Sequence, residues 1–527
     1  MSTKNITLFL FSGFFLIYLC VAFYIAYVLN IYHNDAISRT ALGFFTIFGR
    51  NPHLAAIGFV WQPLPSLTQL PFLILLRPFG YTLMAGPIIS ALCGALSIIT
   101  VFHISHFIIK KRTRMLSLLV AVLFGLNPLI ILYSVIGTSE MIFISSLLLS
   151  TYFMVKWISR LKPIDLIVCS FFVSLSFWSR YESLPVFIGY FFLIIYIGYI
   201  KKLKLKQLEG MLVQFTVPFL YSVIIWVGAN WLIMKDPLYF LHSEYSNTAF
   251  TQALRADPGA LEFSYQSVAN TLAYTGKRLI ALSPVLLLLP IFFIDTLISI
   301  KKKSEDRLLL LAVTFPYLCI LAFHMFQLYK GESFGWLRFF MYGIPAGVLL
   351  SSYIIQRNTK LTIASLLLLV LCIVNTSLAI GNPNLGKEEI SFVQKIQNPT
   401  ITLDYSRTYI DQKAVAGFMN DKKGKVLLDT TNKGFAIPLF AVNPNKYVIT
   451  SDSDFLKIVK NYPSFVEWVI LKKPNTEDLT LNKIYSHYPG IWEGNVPNVK
   501  LVKEMHDWRI FKVTKKIEVV KNLQKNN

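Results

Sequence analysis

Residues 182–206 read ESLPVFIGYFFLIIYIGYIKKLKLK. No charged side chain lies between Glu182 and Lys201, and the stretch has the length, about 20 residues, that a helix needs to cross the hydrocarbon core of a bilayer. It closes on Lys201, Lys202, Lys204 and Lys206. Apolar runs followed by basic clusters recur outward in both directions. Towards the N-terminus the clusters are Lys110-Lys111-Arg112 with Arg114, and Arg160 with Lys162; towards the C-terminus they are Lys301-Lys302-Lys303 with Arg307, and Arg357 with Lys360. The 527 residues are 54% hydrophobic and 15% charged, against about 25% charged in soluble proteins. Mean hydropathy is +0.55. The chain reads as a mostly α, polytopic membrane protein.

The net charge of +22 does not point to nucleic acid. Much of the excess sits between apolar runs, as the positive-inside rule places it, and no separate basic face with base-stacking aromatics is evident. Cys20, Cys93, Cys169, Cys319 and Cys372 all fall within apolar runs, so neither a disulfide framework nor a Cys/His zinc spacing is present. The first run, Ile6 to Tyr32, is too long for a cleavable signal.

If the five clusters are cytoplasmic, an even number of spans separates each neighbouring pair. Apolar runs at 115–136 and 139–158, 164–180 and 182–200, 211–234 and 278–300, and 306–328 and 337–356 meet that condition, and 361–380 carries the chain out. Before Lys110, parity admits two spans among three candidates, 6–29, 62–79 and 82–109. The middle one carries Pro63, Pro65, Pro71 and Pro78, and proline removes a backbone donor that lipid cannot replace. It is assigned to the outer interface. The expectation is about 11 spans in residues 1–380, a cytoplasmic N-terminus, external loops at 30–81 and 235–276, and an extracytoplasmic domain at 381–527.

Groups with chemical capacity then gather on one face. Asn34 and Asp35 follow the first span, and Asp35 is either a solvated boundary carboxylate or a general base. His53 is a solvated loop histidine or a phosphate ligand. Trp61 reads as an interfacial anchor. Glu140 begins a span after Gly137-Thr138-Ser139, where Ser139 could cap the helix and Glu140 could meet its positive end. Arg180 and Glu182 either neutralise one another or present a guanidinium to phosphate. His242 lies in the second long loop. Arg338, at a helix start, calls for an anionic partner. No Walker loop, His-Glu-x-x-His or dinucleotide fingerprint occurs.

The order of these features resembles the GT-C class of glycosyltransferases, the multi-span enzymes that use lipid-phosphate-linked sugars, on the branch of protein O-mannosyltransferases and bacterial aminoarabinose transferases. The similarity is carried by Asn34-Asp35, Trp61-x-Pro63-Leu64, Asn127-Pro128 with Tyr133-Ser134, Gly137-x-x-Glu140 and Arg180-Tyr181-Glu182, over about residues 1–200. The resemblance implies Asp35 as the base and Glu140 as the second-loop acid. It places Arg180 near the class's basic phosphate ligands; with the loop readings above, Asn34, His53, Arg180, Glu182, His242 and Arg338 are the substrate-binding candidates. It also implies a lipid-linked sugar donor held beside membrane lipid and an extracytoplasmic acceptor. Where the class often shows adjacent acids, this chain has Asn34 before Asp35, which leans towards no cofactor; a divalent metal is possible but not favoured, and no metal ligand is assigned.

Residues 381–527 read as a small α/β domain, with strands at Lys425–Asp429, Lys446–Thr450 and Glu467–Leu471, a helix at Ser453–Tyr462, and a hairpin of Val499–Glu504 and Trp508–Val513. Two other classes compete with an enzyme. A secondary transporter is disfavoured by the odd span count and the lack of visible repeat halves; the other class is a non-enzymatic envelope-assembly or scaffolding protein.

Overall fold

Helices long and apolar enough to cross a bilayer dominate the computed structural model, which describes residues 2–109, 114–247, 249, 251, 264–291, 294, 305–357, 359–401, 408–474 and 481–514. Among the described residues there are eight: Thr3–Val28, Thr82–Ile108, Glu140–Arg160, Ser183–Ile200, Leu205–Met234, Arg307–Tyr329, Leu337–Arg357 and Thr362–Ile380. Two bent pairs raise the number to ten. The chain is a multi-pass membrane protein.

The bends have local causes. Arg114–Gly125 and Pro128–Val135 meet at 63°. There Asn127 caps the second half by accepting from the Leu129 amide at 3.1 Å, and Pro128 opens it without a donor to lose. Val268–Leu282 and Pro284–Ile291 meet at 115° around Ser283, again just before a proline. The expected straight span at 278–300 is thus a helix that starts earlier, capped by Ser267, and breaks. Residues 292–293 and 295–300 lie outside the described residues, as do Lys110-Lys111-Arg112 and Lys301-Lys302-Lys303 of the basic clusters. Pro163–Ser179 is apolar but only 17 residues long, so among the described residues length and composition support eight to ten spans and not the expected count of about eleven. Residues 62–79 form pieces of four, seven and three residues, Leu64–Leu67, Leu70–Leu76 and Arg77–Phe79, none long enough to cross.

Residues fall into two compact units, Met1–Leu29, Phe59–Pro65 and Pro87–Ile401 in one, and Asn30–Gly58, Ser66–Gly86 and Thr402–Asn527 in the other. In the first, Glu140–Arg160 and Leu337–Arg357 are the most enclosed helices, whereas Thr3–Val28 and Leu205–Met234 turn most of their surface outward. Polar side chains inside spans return their hydroxyls to their own helix, as in Thr100 to the Leu96 carbonyl at 2.7 Å and Ser351 to that of Gly347 at 3.0 Å. That satisfies them where no water is available. Small residues set close approaches: a Cβ at Gly189 would sit 2.6 Å from Cys319 Sγ.

In the second unit, the expected strands form one sheet. β1 (Val426–Leu428), β2 (Tyr447–Val448), β3 (Trp468–Lys472), β4 (Val499–Met505) and β5 (Trp508–Val513) lie in the order β2-β1-β3-β5-β4. β1 pairs in parallel with β2 and β3, and the β4–β5 hairpin adds antiparallel to β3. The near-continuous burial of β1 to β3 is that of strands covered on both faces. Leu427, Val448, Val469 and Phe511 share a core with Phe455, Ile458 and Tyr462 of the helical layer. Within the segment expected as an external connection after residue 30 lies a 15-residue helix, Asn34–Phe48, burying Ile37, Ala41, Phe44 and Phe45.

Candidate functional site

In the first unit, three chain reversals deliver charge to one place. Gly137, at φ 84° where a side chain would be strained, lets the chain turn from Pro128–Val135 into Glu140–Arg160. Glu140 is the first residue of that helix, whose positive end favours an anion. Ser139 does not cap it; its hydroxyl accepts instead from Arg180 Nη1 at 3.3 Å. Arg180 and Glu182 occupy the turn between Pro163–Ser179 and Ser183–Ile200. Arg338 lies in the turn Leu337–Phe340 that leads into Gly343–Arg357.

These groups form one buried network. Glu140, 1% exposed, accepts through Oε1 from Arg180 Nη1 at 2.6 Å and lies 3.4 Å from Arg338 Nη1. Arg180 also donates through Nε and Nη2 to Glu182 Oε1 at 3.0 and 2.7 Å. Arg338 Nε lies 3.0 Å from Glu388 Oε2, and its guanidinium covers the Trp336 ring at 4.6 Å. Burial pushes the Glu182 carboxyl up, but the Arg180 guanidinium outweighs it and holds the carboxyl below its usual range. Arg180 is held well above its ordinary value: burial acts against the charge, and the carboxylates of Glu182 and Glu140 overcome it.

Three members were not anticipated from the sequence. His324, in the span Arg307–Tyr329, sits with Nε2 3.7 Å from Glu182 Oε1, its ring stacked on Phe339 and Tyr342. Glu388 and Glu389 follow the last span; Glu389 Oε1 accepts from Tyr133 Oη at 2.7 Å. Burial, reinforced by Glu388, raises the Glu389 carboxyl. An ionisable side chain inside a span was the available signal for His324, and a pair of acids at a membrane boundary was the signal for the glutamates.

The structure therefore brings Glu140, Arg180, Glu182 and Arg338 together. Asn34, Asp35 and His53 belong to the second unit. There Asp35 is exposed in the first turn of Asn34–Phe48, and His33 caps that helix by accepting from the Asp35 amide at 3.3 Å. His53 Nδ1 is 2.5 Å from the Asn51 carbonyl, a local loop contact. His242 is exposed and pairs with Asp236 at 2.8 Å. Among the described residues, no three His, Cys, Asp or Glu side chains are grouped as metal ligands.

Residues 71–226 match the family described as dolichyl-phosphate-mannose-protein mannosyltransferase. The matched stretch contains Tyr133, Glu140, Arg180 and Glu182, and leaves out Asp35, His324, Arg338 and both late glutamates. No curated protein matches the sequence. Similar solved structures include the Archaeoglobus fulgidus oligosaccharyltransferase in its apo form, 11% identical with a TM-score of 0.41, covering 91% of this chain and 71% of that one. The same enzyme with Zn and sulfate is 12% identical with a TM-score of 0.39, covering 92% and 70%. The archaeal oligosaccharyltransferase AglB of that organism, with an inhibitory peptide and a dolichol-phosphate, is 10% identical with a TM-score of 0.39, covering 92% and 71%. By the match over residues 71–226, the chain is similar to membrane glycosyltransferases of the GT-C superfamily, at the level of the superfamily and of no single branch.

Proposed function

We propose that this chain is a glycosyltransferase that moves a sugar from a polyprenyl-phosphate-linked donor to an acceptor on the extracytoplasmic side of the cell membrane. The observation that carries the reading is the coincidence of the family match with the buried cluster of Glu140, Arg180 and Glu182. In this reading Asp35 takes the proton of an acceptor hydroxyl as its oxygen attacks the anomeric carbon. The bond from that carbon to the phosphate oxygen breaks with inversion, and polyprenyl phosphate leaves. Such a transition state carries positive charge on the sugar and growing negative charge on the phosphate, which is why arginines belong on the leaving-group side. Arg338 and Arg180 are the proposed phosphate ligands, with Glu140 and Glu182 orienting them; Asn34, His53 and His242 are further substrate-binding candidates. Asn34 in place of a second acid supports metal-independent chemistry.

The test is transfer of radiolabelled sugar from a polyprenyl-phosphate donor by the purified protein in vesicles; labelled polyprenyl-phosphate sugar that is neither bound nor consumed would reject the reading. A second reading, a secondary transporter, draws on the two bent helix pairs, since transporter sites are built at broken helices. A transporter would move solute across the sealed vesicle and form no new glycosidic bond.

The topology belongs to the same proposal: N-terminus cytoplasmic, residues 381–527 outside, and Pro163–Ser179 crossing as an eleventh span despite its 17 residues. A cysteine placed at Leu385 is expected to react with an impermeant maleimide in intact cells, and one placed at Lys303 is not. Labelling at 303 alone would invert the map.

A further inference from the structure

Within the second unit, the helix Asn34–Phe48 is gripped at both ends by side chains of the C-terminal sheet domain. At its start, Tyr409 Oη donates to Asn34 Oδ1 at 3.0 Å. Tyr409 is fully buried, edge-on to Tyr32 at 6.1 Å, and flanked by Phe435 and Phe440. Its backbone, at φ 53°, occupies a region uncommon for a residue with a Cβ. Beside it, Lys413 Nζ donates to Asn30 Oδ1 at 3.1 Å and to Tyr32 Oη at 3.2 Å, with its ammonium over the Tyr32 ring. Just past the other end, Arg50 Nε donates to the buried Asp452 at 2.9 Å and Nη2 meets Asp454, while Asn51 Nδ2 donates to Ser453 Oγ at 2.8 Å.

We infer that the C-terminal domain is a clamp that sets the helix bearing Asp35, and that Tyr409 is a positioning residue acting on that helix through Asn34. The inference rests on the reading of Asp35 as the base. A carboxylate in the first turn of a helix can be aimed at an acceptor only as well as that turn is held, because a base must come within hydrogen-bond reach of the proton it takes. Asn34 is the neighbour through which the hold is applied. The Lys413 and Arg50 contacts fix the chain on either side of the helix, so the Tyr409 hydroxyl controls the first turn and not the existence of the helix.

The experiment compares Tyr409→Phe, Asp35→Asn and the double variant of the full-length protein in vesicles, with kcat for sugar transfer and donor affinity measured for each. Tyr409→Phe deletes one hydroxyl from a buried ring. It is expected to lower kcat about fivefold, the size of one hydrogen bond, at unchanged donor affinity. In the Asp35→Asn background it is expected to have no further effect, because the group it aims is already inert. A purely structural tyrosine would lower both backgrounds alike, and that result overturns the inference; so does a wild-type kcat in Tyr409→Phe. Asn34→Ala removes the same hydrogen bond from its other partner; in kcat at saturating acceptor, where lost acceptor affinity does not count, it should match Tyr409→Phe, and it stands in for it if that variant does not fold. Full activity in Asp35→Asn would fail the base assignment itself, and the clamp with it. Impaired Asp35→Asn beside normal Tyr409→Phe fails the clamp alone.

Discussion

Arg180→Ala is expected to cost the protein about 3–5 kcal/mol of stability, the usual penalty for stripping one partner from a buried ion pair. The size follows from what is left behind. Glu140 and Glu182 each lose a short charge-assisted contact, at 2.6 and 2.7 Å, while themselves largely shielded from water. Arg338, 3.4 Å from Glu140 and engaged by Glu388, cannot neutralise both. Thermal unfolding of the detergent-solubilised protein measures the loss; an unchanged melting temperature would mean that the network contributes nothing.

Arg180→Lys separates stability from function. It keeps the charge, so much of the stability should survive, but an ammonium lacks the planar fork that reaches both carboxylates. If a donor phosphate uses this guanidinium, the loss of one charge-assisted hydrogen bond, worth about 1.5–3 kcal/mol, weakens donor binding by about tenfold or more. Nε, Nη1 and Nη2 of Arg180 already donate to carboxylates, so phosphate must displace a glutamate oxygen to be held there. Wild-type donor affinity in both Arg180→Lys and Arg338→Lys would leave the two arginines as the internal counter-ions of Glu140, Glu182 and Glu388.

Glu140, Arg180 and Glu182 were legible in the sequence because they stand at the ends of apolar runs, where chain direction alone says which charges face one another. His324 carried the same kind of signal, an ionisable group inside a span, but its stacking between Phe339 and Tyr342 depends on packing across helices. Glu388 and Glu389 escaped because their partners, Arg338 and Tyr133, are set by tertiary return of the chain and by no local pattern. The strands announced themselves through β-branched runs, Val426–Leu428 and Trp468–Lys472 among them. Helix Asn34–Phe48 was legible in principle, since Ile37, Ala41, Phe44 and Phe48 recur at helical spacing; membrane parity says on which side such a segment lies and nothing of its secondary structure. Prolines marked both bends, yet a proline fixes where a helix breaks and not the angle, here 63° in one case and 115° in the other.

Asp35→Asn is expected to lower sugar transfer by about 100-fold or more, the scale of general-base catalysis, while donor affinity and expression stay near normal. The substitution is conservative for the fold. The cap on this helix runs from the Asp35 amide to His33 Nδ1, and the backbone amide is untouched by a change from carboxylate to carboxamide. Asp35 is exposed, so no buried charge is stranded and no cavity opens. What disappears is the capacity to accept a proton. The competing carboxylate, Glu140, is 1% exposed, accepts from Arg180 Nη1 at 2.6 Å and lies 3.4 Å from Arg338 Nη1, so an acceptor hydroxyl would have to displace an arginine to reach it. Glu140→Gln is accordingly expected to act on stability and donor affinity, through Arg180 and Arg338, before it acts on the proton transfer. A pH profile separates the two: the acidic limb of kcat should vanish in Asp35→Asn and persist in Glu140→Gln. If transfer in Asp35→Asn runs at the wild-type rate, the base is another group, and Glu140 is the first to test in its place.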